Sequence, residues 1–318
     1  MIRLGIVGTG SISENALTPA IAAVDGAVLW SVLSRTTERA QSFGEKHGAS
    51  APQHAFDNLD EFLADPELDA VIIATPDGMH AEQTVAAAKA GKHVLVEKPM
   101  ATSVEEADAM VEACRIADVR LAVAYHMRWH LGHRELAKRV HAGALGDIHA
   151  ARAQWTFKAP DATNWRAHDS VGRWWSLAGV GTHSLDWLRW MLVPVCGEIT
   201  EISGSITQGV LGSDRDESAA VTVKFESGAL GQFVSSALFT APTRAELCGS
   251  TDFAYCEGTL GRGGGGSIAT LGGPLGFTEV DPYAGEIADF VDAINNNREP
   301  EVGGEEGRRN VELLCAVC

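Results

Sequence analysis

Lys98 follows the apolar run Val94-Leu95-Val96 and stands between Glu97 and Pro99. A lysine placed where a short buried strand runs out can be held at the mouth of a cleft. The proline behind it fixes φ and removes a backbone donor, so the strand must stop there. An ammonium at that point can stabilise charge developing on a reacting oxygen. His183, in Gly181-Thr182-His183-Ser184, falls at the start of a helix, where its ring can face a cleft. An unperturbed imidazole titrates at about pH 6.5, which suits proton transfer near neutrality. With eleven histidines in the chain, position alone would make any one of them structural. The third ingredient is Gly8-Thr9-Gly10-Ser11-Ile12-Ser13, which follows the apolar run Ile2 to Val7. The first glycine makes a tight turn, and the second lets the backbone approach a pyrophosphate, which the helix N-terminus favours electrostatically. Serine stands in for the third glycine of the G-x-G-x-x-G pattern. Together these residues predict hydride transfer to or from a carbinol, with a lysine and a proton-transferring histidine as helpers.

The end of the second strand reports which dinucleotide binds. A carboxylate there would hold the ribose diol of NAD. The tip reads Leu33-Ser34-Arg35-Thr36, with Arg39 one turn on and no carboxylate before Glu38. Hydroxyls and guanidinium suit a 2′-phosphate through charge-assisted bonds, so NADP is expected in preference to NAD. The blander reading leaves Arg35 as a solvated arginine, with either cofactor bound. Thr75-Pro76-Asp77-Gly78-Met79-His80 ends another strand, at the sheet edge where ligands bind in open α/β folds. Thr75, Pro76 and His80 are therefore expected beside the cofactor, against the plainer reading of a turn and helix start with Asp77 as its cap.

These residues need a frame. The first 120 residues or so alternate short apolar runs with helical patterns. Strands are expected at Ile2–Val7, Val28–Leu33, Ala70–Ala74, Val94–Val96 and Arg120–Tyr125. Helices are expected from Thr18-Pro19, with threonine as N-cap, at Thr36–His47 ended by Gly48, at Leu59–Ala64, and at His80–Ala90 stopped by Gly91. A further helix opens at the capping-box spacing Ser103/Glu106. This alternation predicts a Rossmann-type, doubly wound parallel sheet over residues 1–123.

After Tyr125 the texture changes. A helix at about Gly132–Ala142 is followed by period-two runs at Ile148–Phe157, Ile199–Thr207, Ala219–Phe225 and Gly231–Leu238, interrupted by a helix at Gly181–Met191. These predict a second, α+β domain over 124–318 with a mainly antiparallel sheet and hairpins. The glycine-dense Gly261–Gly273 reads as a hairpin connection, since no strand-to-helix context surrounds it. Ile287, Phe290, Val291 and Ile294 predict a C-terminal helix near 286–296 in that domain. The chain stops at Cys318 inside a helical pattern with no glycine stop, which suggests a longer natural C-terminus.

The composition excludes several classes. The formal charge is −17, so a basic stripe for nucleic acid is not expected. No apolar run approaches the ~20 residues of a membrane span, and no leader pattern precedes Ile2. The six cysteines have neither C-x-x-C nor zinc spacing, which predicts free thiols in a cytoplasmic protein and no metal site. Trp174, Trp175, Trp165, Trp187 and Trp190 form an aromatic-rich stretch that either stacks on sugar or packs helix against sheet.

The motifs GTGSIS at 8, TPDGMH at 75, EKP at 97 and GxHxxD at 181–186 occur in the order and spacing of one family. The chain resembles the glucose-fructose oxidoreductase/inositol dehydrogenase/rhizopine catabolism (Gfo/Idh/MocA) family along essentially its whole length. The resemblance implies NAD(P)-dependent oxidation or reduction of one carbon of a sugar, polyol or related cyclic compound. It implies Lys98 at substrate hydroxyl and nicotinamide ribose, His183 as acid/base, and Glu97 and Pro99 shaping the cofactor cleft. It places Trp165, of Asn164-Trp165-Arg166, against the nicotinamide and Tyr125–Arg128 along the same cleft, with Arg128, Arg166 and Asp186 at the substrate. Homodimers or homotetramers through the second-domain sheet are also implied. A regulator of the same fold, and a dihydrodiol- or biliverdin-type reductase, are the alternatives. One departure stands out: Gly179 lies where the family commonly has aspartate, four residues before the histidine. Asp186 orienting the imidazole, a substrate bringing its own anion, or a slow or non-catalytic protein would each account for it.

Overall fold

The computed structural model describes residues 1–168 and 172–318, which divide into two compact units. The first comprises Met1–Tyr125 and Tyr283–Val311. Its strands are β1 (Ile2–Val7), β2 (Ala27–Leu33), β3 (Ala55–Phe56), β4 (Ala70–Ile73), β5 (His93–Glu97) and β6 (Leu121–Ala124). They lie in the order β3-β2-β1-β4-β5-β6, and every pair is parallel. The four residues of β4 are all buried, as a strand covered on both faces requires. Because β1 pairs with both β2 and β4, the strand order reverses there, and the crevice beyond their carboxyl ends is where such sheets bind ligands.

The helices of this unit are α1 (Thr18–Ala23), α2 (Thr37–His47), α3 (Leu59–Leu63), α4 (His80–Lys89) and α5 (Val104–Ile116). Thr36 caps α2 by accepting from the Arg39 amide, and Gly48 closes it at φ 73°. Ser103 caps α5 through the Glu106 amide, while the Glu106 carboxylate turns to the amide and hydroxyl of Thr102. Thr18 is not an N-cap. The first helix already runs through a π-helical stretch at Ser13–Leu17, and the Thr18 hydroxyl donates back to the Ser13 carbonyl at 2.8 Å. The two-residue β3 went unread because it is too short to show a period.

The helix Pro282–Asn295 corrects the expected domain division. Tyr283, Ile287, Phe290 and Val291 pack into the same core as Ile2, Leu4, Leu29 and Ile72. The chain therefore returns to the first unit, and the helix expected near 286–296 belongs to the parallel sheet's core. Hydrophobic spacing predicts a buried face but not which core receives it.

The second unit comprises His126–Pro282 and Glu312–Cys318. It contains α6 (Leu131–His141), β7 (Ile148–Thr156), α7 (Thr182–Cys196), β8 (Ile199–Thr207), β9 (Ser218–Phe225) and β10 (Leu230–Ser236), then β11 (Arg244–Gly249), β12 (Phe253–Glu257), β13 (Ser267–Thr270) and β14 (Gly273–Pro274). The sheet order is β14-β13-β12-β11-β7-β10-β9-β8. All its pairs are antiparallel except β7 with β10, which run parallel through the middle. The glycine-dense segment connects the antiparallel strands β12 and β13, and its second half is strand. Helix α7 runs past Met191 and through Pro194 to Cys196, and Gly197 follows at φ 75°.

Candidate active site

In the first unit the glycine turn ties three strand ends together. The Gly8 amide donates to the Leu33 carbonyl at 2.9 Å, and the Ala74 amide donates to the Val7 carbonyl at 2.8 Å. Gly8 has φ +101°, and a Cβ there would lie 2.7 Å from the Ala74 oxygen, so no other residue fits. Gly10 differs: a Cβ would meet nothing within 4 Å. Its open side is the room a pyrophosphate needs at a helix N-terminus. Ser13, in the third-glycine position, is fully buried and donates to the Gly8 carbonyl at 2.7 Å, pinning the turn. Ser11 is exposed at the turn, and Ile12 packs on the core behind it. These features fit a dinucleotide.

The tip of β2 meets this turn. The hydroxyls of Thr9 and Ser34 are 2.8 Å apart, and Arg39 donates from Nε to Thr9 Oγ1 at 2.7 Å and from Nη2 to the Thr9 carbonyl at 3.1 Å. Arg35 is exposed beside them. Two hydroxyls and the Arg39 guanidinium therefore gather at the end of β2, the strand end that meets the adenosine ribose in dinucleotide-binding folds.

At the ends of β4 and β5, Thr75 donates to Gln83 Oε1 at 2.6 Å, with Pro76 half-buried next to it. His80 is fully buried, with Nδ1 3.0 Å from the Pro99 carbonyl and Nε2 2.9 Å from that of Thr75. It braces the segments that follow the two strand ends through both ring nitrogens. Glu97 and Lys98 are 8% and 9% exposed, and the Lys98 amide donates to Glu97 Oε2 at 3.2 Å. Lys98 leaves the sheet at the carboxyl edge that also carries the glycine turn.

In the second unit His183 is the second residue of α7, which continues from a π-helical stretch at Leu177–Gly181. Two rings pack on its imidazole. Trp155 from β7 is stacked, with centroids 5.1 Å apart and planes at 29°, and His126 is edge-on at 4.9 Å and 78°. Asp186, expected to orient the imidazole or bind substrate, accepts from Arg128 with both oxygens, at 3.0 Å from Nε and 2.7 Å from Nη2. Arg128 and Asp186 are both buried and pair with each other.

Arg166 lies over the Trp165 ring at 3.9 Å, and Asn164 caps their short turn by accepting from the Arg166 amide at 3.0 Å. Trp165 is 38% exposed, whereas Trp174, Trp175 and Trp187 are almost wholly buried and serve packing. A Cβ on Gly179 would lie 3.3 Å from the Phe157 ring, so an aspartate there would press on that ring. The loop residue Asp216 fixes the approach to α7, accepting from the amides of Trp175 and Leu177 at 2.8 and 2.7 Å and from the Ser176 hydroxyl at 2.8 Å. Burial pushes its carboxyl above the usual range, while these hydrogen bonds pull it back. Sequence reasoning missed Trp155, Phe157 and Asp216. Only Trp155 carried a signal, as an inward position of a period-two strand. Among the described residues no His/Cys/Asp/Glu group could hold a metal, and no helix is long and apolar enough to cross a membrane.

A parallel sheet with a glycine cradle at its switch point, followed by an α+β unit with a histidine at a helix start, defines a nicotinamide-dinucleotide oxidoreductase. Residues 2–125 match the family described as "Oxidoreductase family, NAD-binding Rossmann fold", and residues 133–254 match the "GFO/IDH/MocA C-terminal domain". The chain belongs to the Gfo/Idh/MocA oxidoreductase family. It is 31% identical over 316 residues to 1,5-anhydro-D-fructose reductase of Ensifer adhaerens, covering 96% of this chain and 92% of that one. It is 26% identical to myo-inositol 2-dehydrogenase of Thermotoga maritima, with the same coverage of both chains. Among solved structures it resembles aldose-aldose oxidoreductase of Caulobacter crescentus complexed with glycerol, with TM-score 0.91 and 25% identity over 99% of this chain and 96% of that one.

Proposed function

We propose that the protein is an NADP-preferring oxidoreductase acting on a secondary alcohol, or the corresponding ketone, of a sugar, polyol or related cyclic compound. The observation that carries this reading is Lys98 at the same carboxyl edge as a glycine cradle whose Gly10 side is open. When bound, the dinucleotide supplies the hydride donor or acceptor. Gly8, Thr9, Gly10, Ser11 and Ile12 hold its pyrophosphate, and Ser34, Arg35 and Arg39 receive a 2′-phosphate. Lys98 polarises the reacting oxygen, and His183 gives or takes its proton. Trp165 and Arg166 form an indole–guanidinium pair, the indole exposed and the arginine half-buried, suited to a flat ring or a hydroxylated one. The six cysteines are all free thiols, in keeping with a reducing cytoplasm. The exposed sheet face bearing Thr222, Leu230, Gln232 and Phe253 is the surface we assign to homo-oligomer formation, to be checked by analytical ultracentrifugation.

The test pairs binding with turnover. NADPH and NADH are titrated by fluorescence, and the reduced cofactors are assayed with 1,5-anhydro-D-fructose and the oxidised ones with myo-inositol and an aldose. Turnover with at least one of these is expected, with tighter binding of NADPH than NADH. His183→Gln should lower kcat by about 10²–10⁴-fold and Lys98→Met by about 10²–10³-fold. Tight dinucleotide binding without turnover across the panel, or full turnover by Lys98→Met, would overturn the assignment.

A further inference from the structure

We propose that Trp155 and His126 are positioning residues for the His183 imidazole, and that the glycine-rich loop at 258–266 holds His126 in place for that task. The inference rests on the reading of His183 as the proton-transferring group and adds what aims it.

The terminal torsion of a histidine is broad and roughly two-fold, so a helix start alone does not fix the ring plane. Two contacts narrow it: the Trp155 indole stacked at 5.1 Å and 29°, and the His126 ring edge-on at 4.9 Å and 78°. Trp155 is rigid because it points inward from β7, the strand paired on both sides by β10 and β11.

His126 is held by a different device. Its Nε2 lies 2.9 Å from the Gly261 carbonyl. A carbonyl only accepts, so Nε2 carries the hydrogen, and the loop sets both ring angle and tautomer. The same loop is fastened twice more, by His130 Nε2 at 2.9 Å from the Gly265 carbonyl and by His133 Nε2 at 2.9 Å from Thr259 Oγ1. His126 opens the short 3₁₀ turn before α6, His130 is the N-cap of α6 and His133 lies in its first turn, so three histidines grip one loop, and the first of them also touches His183. Glycine permits this grip: a Cβ on Gly264 would overlap the Val280 backbone. The loop thus belongs to the support of the acid/base residue, although its glycines read from sequence as a plain connection.

The consequence is geometric. A proton-transferring ring about 1 Å out of place can cost about 10²-fold in rate. Trp155→Leu and His126→Asn should therefore lower kcat by about 10- to 100-fold while KM stays within about twofold, and the solvent deuterium isotope effect on kcat should rise. Trp155→Phe, which keeps a flat ring, should recover most of the loss. Kinetics use whichever of 1,5-anhydro-D-fructose, myo-inositol and an aldose is turned over fastest. Histidine-labelled protein supplies a readout independent of turnover. The His183 ring signal, assigned by its loss in His183→Gln, should move downfield in Trp155→Leu as the indole ring current disappears.

Trp155→Leu and His126→Asn variants that melt like the parent and keep its kcat and isotope effect, while His183→Gln is inactive, would sink the positioning role alone. If His183→Gln itself turns over normally, the acid/base reading fails instead. Should either variant fail to fold, Trp155→Met and His126→Gln, which also remove the stacked or edge-on ring, carry the same comparison.

Discussion

Arg128 and Asp186 grip each other through two parallel hydrogen bonds, with their side chains only 6% and 3% exposed. The pair fastens the short turn His126–Trp129 to α7, which carries His183. Removing one member leaves a buried charge without its partner, typically at about 3–5 kcal/mol, whereas replacing both by apolar residues is often neutral. Arg128→Met and Asp186→Leu should each lower the urea midpoint sharply, and the double variant should recover most of it. Equal losses that simply add in the double variant would show that the pair is not a coupled unit.

The two cradle glycines should separate folding from binding. Gly8→Ala forces φ +101° on a residue with a Cβ, 2.7 Å from the Ala74 oxygen, and is expected to cost about 1–3 kcal/mol of stability along with cofactor binding. Gly10→Ala meets no protein atom within 4 Å. It should melt like the parent yet bind NADPH at least tenfold more weakly, about 1.4 kcal/mol, because the methyl enters the space of the pyrophosphate. Fluorescence titration and thermal melting of the two variants give the contrast. A Gly10→Ala protein with parental NADPH affinity would show that the pyrophosphate lies elsewhere.

The parallel sheet was legible because its strands are continuous apolar runs and its helices carry local stop signals. Thr36, Gly48, Gly91 and Ser103 each act within a few residues of where they stand. Features set by distant partners were not legible. The side chain of Thr18 looks like a cap but donates back to the Ser13 carbonyl, which also accepts from the Thr18 amide in the π-helical stretch. The helix carrying Ile287 and Phe290 returns to a core whose other members all come from the first 124 residues. At the candidate site, Lys98 and His183 were singled out from their own local context. The pairing of Asp186 with Arg128 was not legible, because the two lie 58 residues apart. Strands β11 to β14 are short, and their polar outer positions dilute the alternation.

Asp216 should prove a structural carboxylate. Its folded-state pKa lies above the ordinary range, chiefly through burial. The folded chain therefore holds that proton more tightly than the unfolded one. The resulting contribution to stability is full below about pH 3.8 and is lost as pH rises through the folded value. Two amides and a hydroxyl point at its oxygens and offset part of the cost of burial. Asp216→Ala strands those donors at about 1–3 kcal/mol each, and the loss should appear as a lower urea midpoint. Asp216→Asn turns an NH₂ toward one of the amides and should fall between the two. An Asp216→Ala protein as stable as the parent would mean that the approach to α7 is held by other contacts.

Acid should loosen the histidine-fastened loop before it affects the rest of the second unit. Burial, reinforced by the neighbouring charges of His130 and His126, holds His133 well below the usual histidine value, and burial lowers His130 too. The unfolded chain then takes up these protons first as pH falls. Stability is full above about pH 6.5 and drops below it, by at most about 1.4 kcal/mol per pH unit for each fully neutral buried ring. Urea midpoints measured from about pH 7.5 down to about pH 5 should show this fall, and His133→Gln should flatten part of it. A smaller slope should persist in that variant, because burial also lowers His93 in the first unit. Amide hydrogen exchange at residues 258–266 should rise over the same range, since protonated His133 cannot keep its place against Thr259. Exchange in that loop that ignores pH while the midpoint falls would assign the acid sensitivity to His93 instead.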